Sequence, residues 1–243
     1  RLGPLVPWLQ ERCVCGALDV ILPVTHDTGS AVVAAPVLEP GFAFISSGTW
    51  SLVGTEVPAP VIDHKGLALN ITNEGGWNGT YRYLKNVLGL WLMQECRRTF
   101  ARAGRQYTYE ELTTLAGEAP PLRSIVDPDD STFFAPGDMP ARIAAYCRRT
   151  GQPEPDGVAA TARCILESLA LKYRYVIESI ESILARRLSP VVVLGGGARN
   201  NLLNQFTADA LQRNVIGGPV EATALGNLAV QMIGRGELAD LQE

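Results

Sequence analysis

Residues Val191 to Arg213 read VVVLGGGARNNLLNQFTADALQR, and this stretch decides the fold class. Its apolar run predicts a strand over Val191 to Leu194, then a glycine turn, then a helix from Leu202 to Arg213. The pattern continues with a short strand over Asn214 to Ile216 and a helix over Ala222 to Gly234. Short apolar strands alternating with amphipathic helices predict parallel pairing with helices on the sheet faces, an α/β class. The turn GGGARNN also carries chemistry. Glycines at a strand-to-helix junction let backbone approach a ligand, and the helix N-terminus beyond offers free N–H groups and a positive dipole end. A nucleotide would fit at the Gly195 to Gly197 turn. The same segment also reads as a tight turn with Asn200 or Asn201 as N-cap. It matches neither GxGxxG nor a Walker loop.

Upstream, Asp19 to Thr25 reads as a short strand, followed by a helix starting near Asp27 in HDTGSAVVAA. Phe42 to Ser46, Ser51 to Val57 and Leu67 to Thr72 are β-rich pieces separated by Gly and Pro, which predicts an antiparallel meander. From Thr80 to Arg102 the apolar positions Leu84, Val87, Leu88, Trp91, Leu92 and Cys96 recur at helical spacing and predict one helix. A second, long helix is predicted from Asp156 to Arg187. Between them, Pro120 to Pro140 reads as a surface excursion with a short helix on each side.

With 243 residues, about half of them apolar, the chain can bury a sizeable core. Its 25 acidic and 21 basic residues give a formal charge of -4, without a Lys or Arg run that would suit nucleic acid or a membrane surface. No apolar stretch reaches the roughly 18 to 20 residues of a membrane span, and no signal-peptide order stands at the start, so cytoplasm is the expected compartment. Five cysteines without a CxxC spacing predict ordinary thiols rather than zinc or a disulfide framework. The opening Arg1-Leu2-Gly3-Pro4, without Met, reads as the middle of a longer protein.

Two further motifs bear on function. SSGTWS, Ser46 to Ser51, sits between two predicted strands, and such a turn can point backbone N–H groups and the Thr49 hydroxyl at phosphate oxygens. It also fits an ordinary hairpin loop. In THDTGSA, a carboxylate at Asp27 can accept a proton from an attacking hydroxyl, the task phosphoryl transfer gives its base. An N-cap aspartate fits there as well.

In order and surroundings these motifs resemble the FGGY carbohydrate kinases along essentially the whole chain. The blocks HDTGSAV, FAFISSGTWSLVGTE, NITNEGGWNGTYRYLKNVLGLWLMQE and GGGARNNLLNQFTADAL are similar to the rhamnulokinase branch. The resemblance implies an actin-like, ribonuclease-H-like ATPase domain with a mixed sheet and helices on both faces, residues 1–243 being the C-terminal, ATP-binding domain. It implies Asp27 as catalytic base and His26, Asp27, Thr28 and Asn86 beside the sugar. Gly48, Thr49, Gln94, Gly195, Gly196, Gly197 and Asn200 would meet ATP, with Mg²⁺ on its phosphates. The implied reaction phosphorylates the C1 hydroxyl of L-rhamnulose. A kinase for xylulose, glycerol or a related polyol, or a non-catalytic nucleotide-binding module, remains open beside it. On the predicted helix, Asn86 and Gln94 stand eight residues apart, roughly 12 Å along the axis, so one helix would reach both substrates. The family's N-terminal half, with its own phosphate loop, is not in this chain, which makes the chain alone a poor kinase. Gly29 stands where the branch often has Ala, a change expected to be tolerated. A cysteine pair at positions like Cys147 and Cys164 occurs in some members, and a reducing cytoplasm favours two thiols there.

Overall fold

Strand residues of alternating parity meet two different apolar layers, and this fixes the architecture. The computed structural model describes residues 2–16, 18–37 and 39–241. It opens with β1 (Gly3–Pro4), α1 (Pro7–Arg12) and β2 (Asp19–Val20), the two short strands pairing antiparallel. After α2 (Asp27–Val33) come β3 (Ala43–Ser47) and β4 (Ser51–Val57), a hairpin. Next are α3 (His64–Ala68), β5 (Thr72–Gly75) and β6 (Tyr81–Val87). Four helices follow: α4 (Trp91–Arg102), α5 (Tyr109–Glu118), α6 (Met139–Arg149) and the 28-residue α7 (Gly157–Leu184). The chain closes with β7 (Val191–Leu194), α8 (Asn201–Leu211), β8 (Val215–Gly217) and α9 (Ala222–Arg235).

The main sheet has the order β5-β6-β4-β3-β7-β8. β5, β6, β4 and β3 pair antiparallel, while β3-β7 and β7-β8 pair parallel, so the sheet is mixed. Ala43, Ile45, Val191 and Val193 face one core with Leu169, Val176 and Ile180 of α7. Phe44, Val192 and Leu194 face the other with Ala31 and Val32 of α2 and Ala222 of α9. Each fully buried Val, Leu, Ile or Phe side chain among these contributes about 1.5–3 kcal/mol. Both faces are thus covered by helices, as expected. On the second face α9 crosses α2 closely, because a Cβ at Gly226 would overlap the Ser30 carbonyl.

Three expectations are corrected. The helix over Thr80 to Arg102 is two elements, strand β6 and helix α4. Leu84, Val87 and Leu88 imitate helical spacing, but Leu84 packs toward α2 while Val87 packs toward α7. A strand buried on both faces shows apolar residues at both parities, which the helical template also accepts. The meander's third strand is accordingly β6, not Leu67 to Thr72. Leu67 belongs to α3, which Asp63 caps through Lys65 N and Gly66 N at 2.7 and 2.9 Å. Asp19 to Thr25 pairs only over Asp19–Val20.

The segment from Pro120 to Pro140 is flanked by α5 and α6 as expected, yet it is not merely a surface excursion. Phe133 is wholly buried, its carbonyl accepts from Trp91 Nε1 at 2.9 Å, and Asp129 accepts from Leu88 N at 2.9 Å. The cysteines are free, and the buried Cys147 and Cys164 thiols lie against each other. No helix among the described residues is long and apolar enough to cross a membrane.

Candidate active site

β6 runs antiparallel to β4, and β4 antiparallel to β3, so β6, β3 and β7 all end at the same edge of the sheet. Ligands of open α/β sheets gather at the C-terminal ends of such strands. The register aligns Asn86, Leu52, Ser46 and Leu194 in one row across four strands, spanning about 14 Å at ordinary strand spacing. The two turns singled out in the sequence leave this edge from β3 and β7.

Gly48 and Thr49 are fixed to the start of α4. Leu90 N donates to Gly48 O at 3.0 Å and Trp91 N to Thr49 O at 3.1 Å. Gln94 Nε2, one turn into α4, donates to Thr49 Oγ1 at 3.0 Å. Opposite them, Gly195 has φ 80° and ψ -166°, a conformation only glycine adopts readily. Gly196 to Arg199 then form a 3₁₀ turn, after which Asn200 caps α8 by accepting from Leu203 N at 3.0 Å. Asn200 is thus the cap that one reading of the turn proposed, and it also borders the cleft. Between the turns lies a cleft of about 760 Å³ lined by Gly48, Thr49, Gln94, Gly196, Gly197 and Asn200. Leu90 and Met93 give it an apolar wall, and Tyr109, Glu110, Thr113 and Thr114 of α5 a polar one. The α5 residues went unnoticed in the sequence, since nothing local distinguishes that helix from an ordinary amphipathic one.

The carboxylate lies on the α2 side of the sheet. His26, not Asp27, caps α2: its Nδ1 accepts from Thr28 N at 3.3 Å. Asp27 is the first helical residue, its side chain 77% exposed. Its Oδ1 accepts from Thr28 N at 2.6 Å and lies 3.0 Å from His26 Nδ1. Position N1 suits an anion, because the free N–H groups of the first turn face it. Thr28 is 4% exposed and sits behind Asp27 rather than on the open surface. Asn86 is exposed on β6, two residues beyond Leu84, and strand alternation puts it on the α2 face as well. The expectation that Asn86 shares a helix with Gln94 is corrected. They belong to a strand and a helix, joined by the turn over Leu88 to Leu90.

Arg82, at the same parity as Asn86, is a residue the sequence reading missed. It is 1% exposed, ion-paired to Glu74 at 3.1 Å, and donates through Nε and Nη2 to Gly75 O at 3.2 and 3.1 Å. Burial pulls its basicity below the ordinary arginine value, against the opposing fields of Glu74, Glu56 and Asp27. A Cβ at Gly29 would lie 3.4 Å from Arg82 Cζ and overlap Val24 Cγ1. An alanine at 29 would therefore require Val24 to move in this chain.

Residues 43–235 match the FGGY family of carbohydrate kinases, C-terminal domain. The rhamnulokinase of Bacteroides thetaiotaomicron is 48% identical over 241 residues, covering 99% of this chain and 49% of that protein. The rhamnulokinase of Halalkalibacterium halodurans is 43% identical over 97% of this chain and 49% of its own length. The chain spans about half the length of the curated relatives it matches. Among solved structures, a xylulose kinase from Rhodospirillum rubrum superposes with TM-score 0.62 at 18% identity, covering 87% of this chain and 42% of that one. Plasmodium falciparum glycerol kinase with ADP gives 0.60 at 14% identity, covering 89% and 43%. The fold is that of the actin-like ATPases, and by its match over 43–235 the chain belongs to the FGGY family of carbohydrate kinases, in the domain that is C-terminal in that family.

Proposed function

We propose that residues 1–243 are the ATP-binding half of a rhamnulokinase, which works in the cytoplasm with an N-terminal half that closes the other side of the cleft. The reaction is transfer of the ATP γ-phosphoryl to the C1 hydroxyl of L-rhamnulose. The observation that carries this reading is the 48% identity to a rhamnulokinase along 99% of the chain. The common sheet edge of Asn86 and the Gly48 and Gly195 turns, with the exposed Asp27 on the same face as Asn86, is what that reaction needs.

In this reading the exposed Asp27 carboxylate takes the proton from the attacking hydroxyl, which needs an acceptor within hydrogen-bond reach. Its attachment to Thr28 N keeps it oriented. His26 and Asn86 border the sugar, and Thr28 acts from behind through Asp27. The two glycine turns and the Thr49–Gln94 pair hold the nucleotide. Loose phosphoryl-transfer transition states gain chiefly from positioning and from charge neutralisation. Mg²⁺ on those phosphates would supply part of that neutralisation. Among the described residues no cluster of three His, Cys, Asp or Glu groups is placed to hold an ion. The chain without the N-terminal half is a poor kinase, because charge is then positioned from one side only.

The test is a kinetic comparison of L-rhamnulose, xylulose and glycerol on the two-domain protein and on its Asn86→Ala variant. A preference for rhamnulose is expected, with its KM raised at least about tenfold in the variant and KM for ATP little changed. A wild-type preference for xylulose or glycerol, or equal losses on sugar and ATP, contradicts the assignment.

A further inference from the structure

Two serines flank the Gly48-Thr49 turn, Ser47 at the end of β3 and Ser51 at the start of β4. Both are buried, at 2% and 0% exposure. Ser51 Oγ and Tyr173 Oη share a 2.7 Å hydrogen bond, although 122 residues separate them in sequence. Tyr173 lies on α7 and is 1% exposed. Ser47 Oγ adjoins the same phenol, yet it is buried without a well-formed hydrogen bond.

On its other side Ser47 abuts the glycine turn. A Cβ at Gly197 would overlap Ser47 Oγ, and a Cβ at Gly195 would come within 3.2 Å of Ser47 O. Ser51 in turn fills the space beside Gly89, where a Cβ would fall 2.5 Å from its Oγ. One phenol therefore reaches the hydroxyls on both sides of the first turn, and one of those serines is in contact with the second. A tyrosine hydroxyl has one proton to give and two lone pairs, so it can serve two serines at once. The phenol bonded to Ser51 thus also backs Ser47, whose hydroxyl stands against the turn that borders the cleft.

We propose that Tyr173 is a positioning residue for the nucleotide. Its hydroxyl, with those of Ser47 and Ser51, sets the spacing between the Gly48-Thr49 and Gly195 to Gly197 turns. This rests on the reading that those turns hold ATP. Tyr173 touches neither substrate and acts through the turns, from the long helix behind the sheet.

The experiment uses Tyr173→Phe in the two-domain protein, which keeps the ring and removes the hydroxyl. ADP affinity is read by calorimetry, KM for ATP and for L-rhamnulose by kinetics, and Tm by thermal melts. The expected result is a rise of about five- to tenfold in the ADP Kd and the ATP KM, the weight of one net hydrogen bond. The sugar KM should stay within about twofold. Ser51→Ala should reproduce the loss, and the double variant should lose no more than either single one, since all break the same network. Unchanged nucleotide affinity in Tyr173→Phe, equal losses on both substrates, or additive losses in the double variant would overturn the positioning role. A wild-type protein that does not bind ADP overturns the reading of the cleft itself, and this proposal with it.

Discussion

Gln94 Nε2 donates to Thr49 Oγ1 at 3.0 Å, so a helix side chain and a hairpin hydroxyl 45 residues apart close one wall of the cleft together. The pair is solvent-exposed, and the backbone bonds from Leu90 and Trp91 already hold the turn. In the proposed reading its contribution is to orientation at the nucleotide more than to folding, since exposed neutral hydrogen bonds add little net stability.

Replacing either partner by alanine should raise KM for ATP about three- to tenfold, with Tm nearly unchanged. Because the two groups bond to each other, the double variant should fall short of the product of the single effects. A double-mutant cycle on ATP binding measures this. Multiplicative losses would mean that each group contacts ATP independently.

Gly29→Ala sets two opposed effects against each other. Alanine gains up to about 1 kcal/mol of helix propensity over glycine, but its Cβ overlaps Val24 Cγ1, and overpacking costs about 1–3 kcal/mol. The variant should be destabilised by roughly 1 kcal/mol, and Gly29→Ala with Val24→Ala should recover much of that loss. Urea melts of the chain decide it. A Gly29→Ala protein more stable than wild type would show that Val24 yields freely.

Alkaline pH should destabilise the fold in two stages. Burial raises the Cys96 and Cys164 thiols above their usual value of 9, and Cys164 to about 12. Burial and the Asp63 carboxylate push the Tyr83 phenol from 10 to about 12. A raised acid keeps its proton in the folded state after the unfolded chain has lost it. Stability is full below the unfolded value and falls as pH rises toward the folded one. The loss should begin near pH 9 with the thiols and steepen between 10 and 12 with Tyr83. Tyr83→Phe should flatten the upper stage while changing stability at pH 7 by less than about 1 kcal/mol, because the bond to Asp63 is long at 3.4 Å. Denaturant midpoints measured across that range test both parts, and an unaltered upper stage in the variant would remove Tyr83 as its source.

Much of this was legible in the sequence for identifiable reasons. Val191 to Leu194 is four apolar residues closed by glycines, so its strand limits could be read directly. The α7 stripe persists over 28 residues, too long for another period to imitate. β6 imitates a helix in the sequence because Leu84, Val87 and Leu88 serve two layers, and only the partner strand reveals which face each residue takes. The turn residues Gly48, Thr49, Gly196 and Asn200 line one cleft, since short turns travel with their neighbours. Tyr173 reads in the sequence only as one position of the α7 stripe, and its bond to Ser51 spans 122 residues. Arg82 and the α5 wall carry no local signal: Arg82 meets Glu74 and Gly75 across the β5-β6 pair, whose strand limits the sequence does not mark.

The most direct test of the account is the turnover of Asp27→Asn in the two-domain protein with saturating ATP and L-rhamnulose. The amide can still accept from Thr28 N and keep the helix start intact, but it cannot take a proton. The account predicts kcat lowered about a hundredfold or more, with ATP affinity near wild type. Wild-type turnover in that variant would reduce Asp27 to a helix-terminal anion and contradict the account.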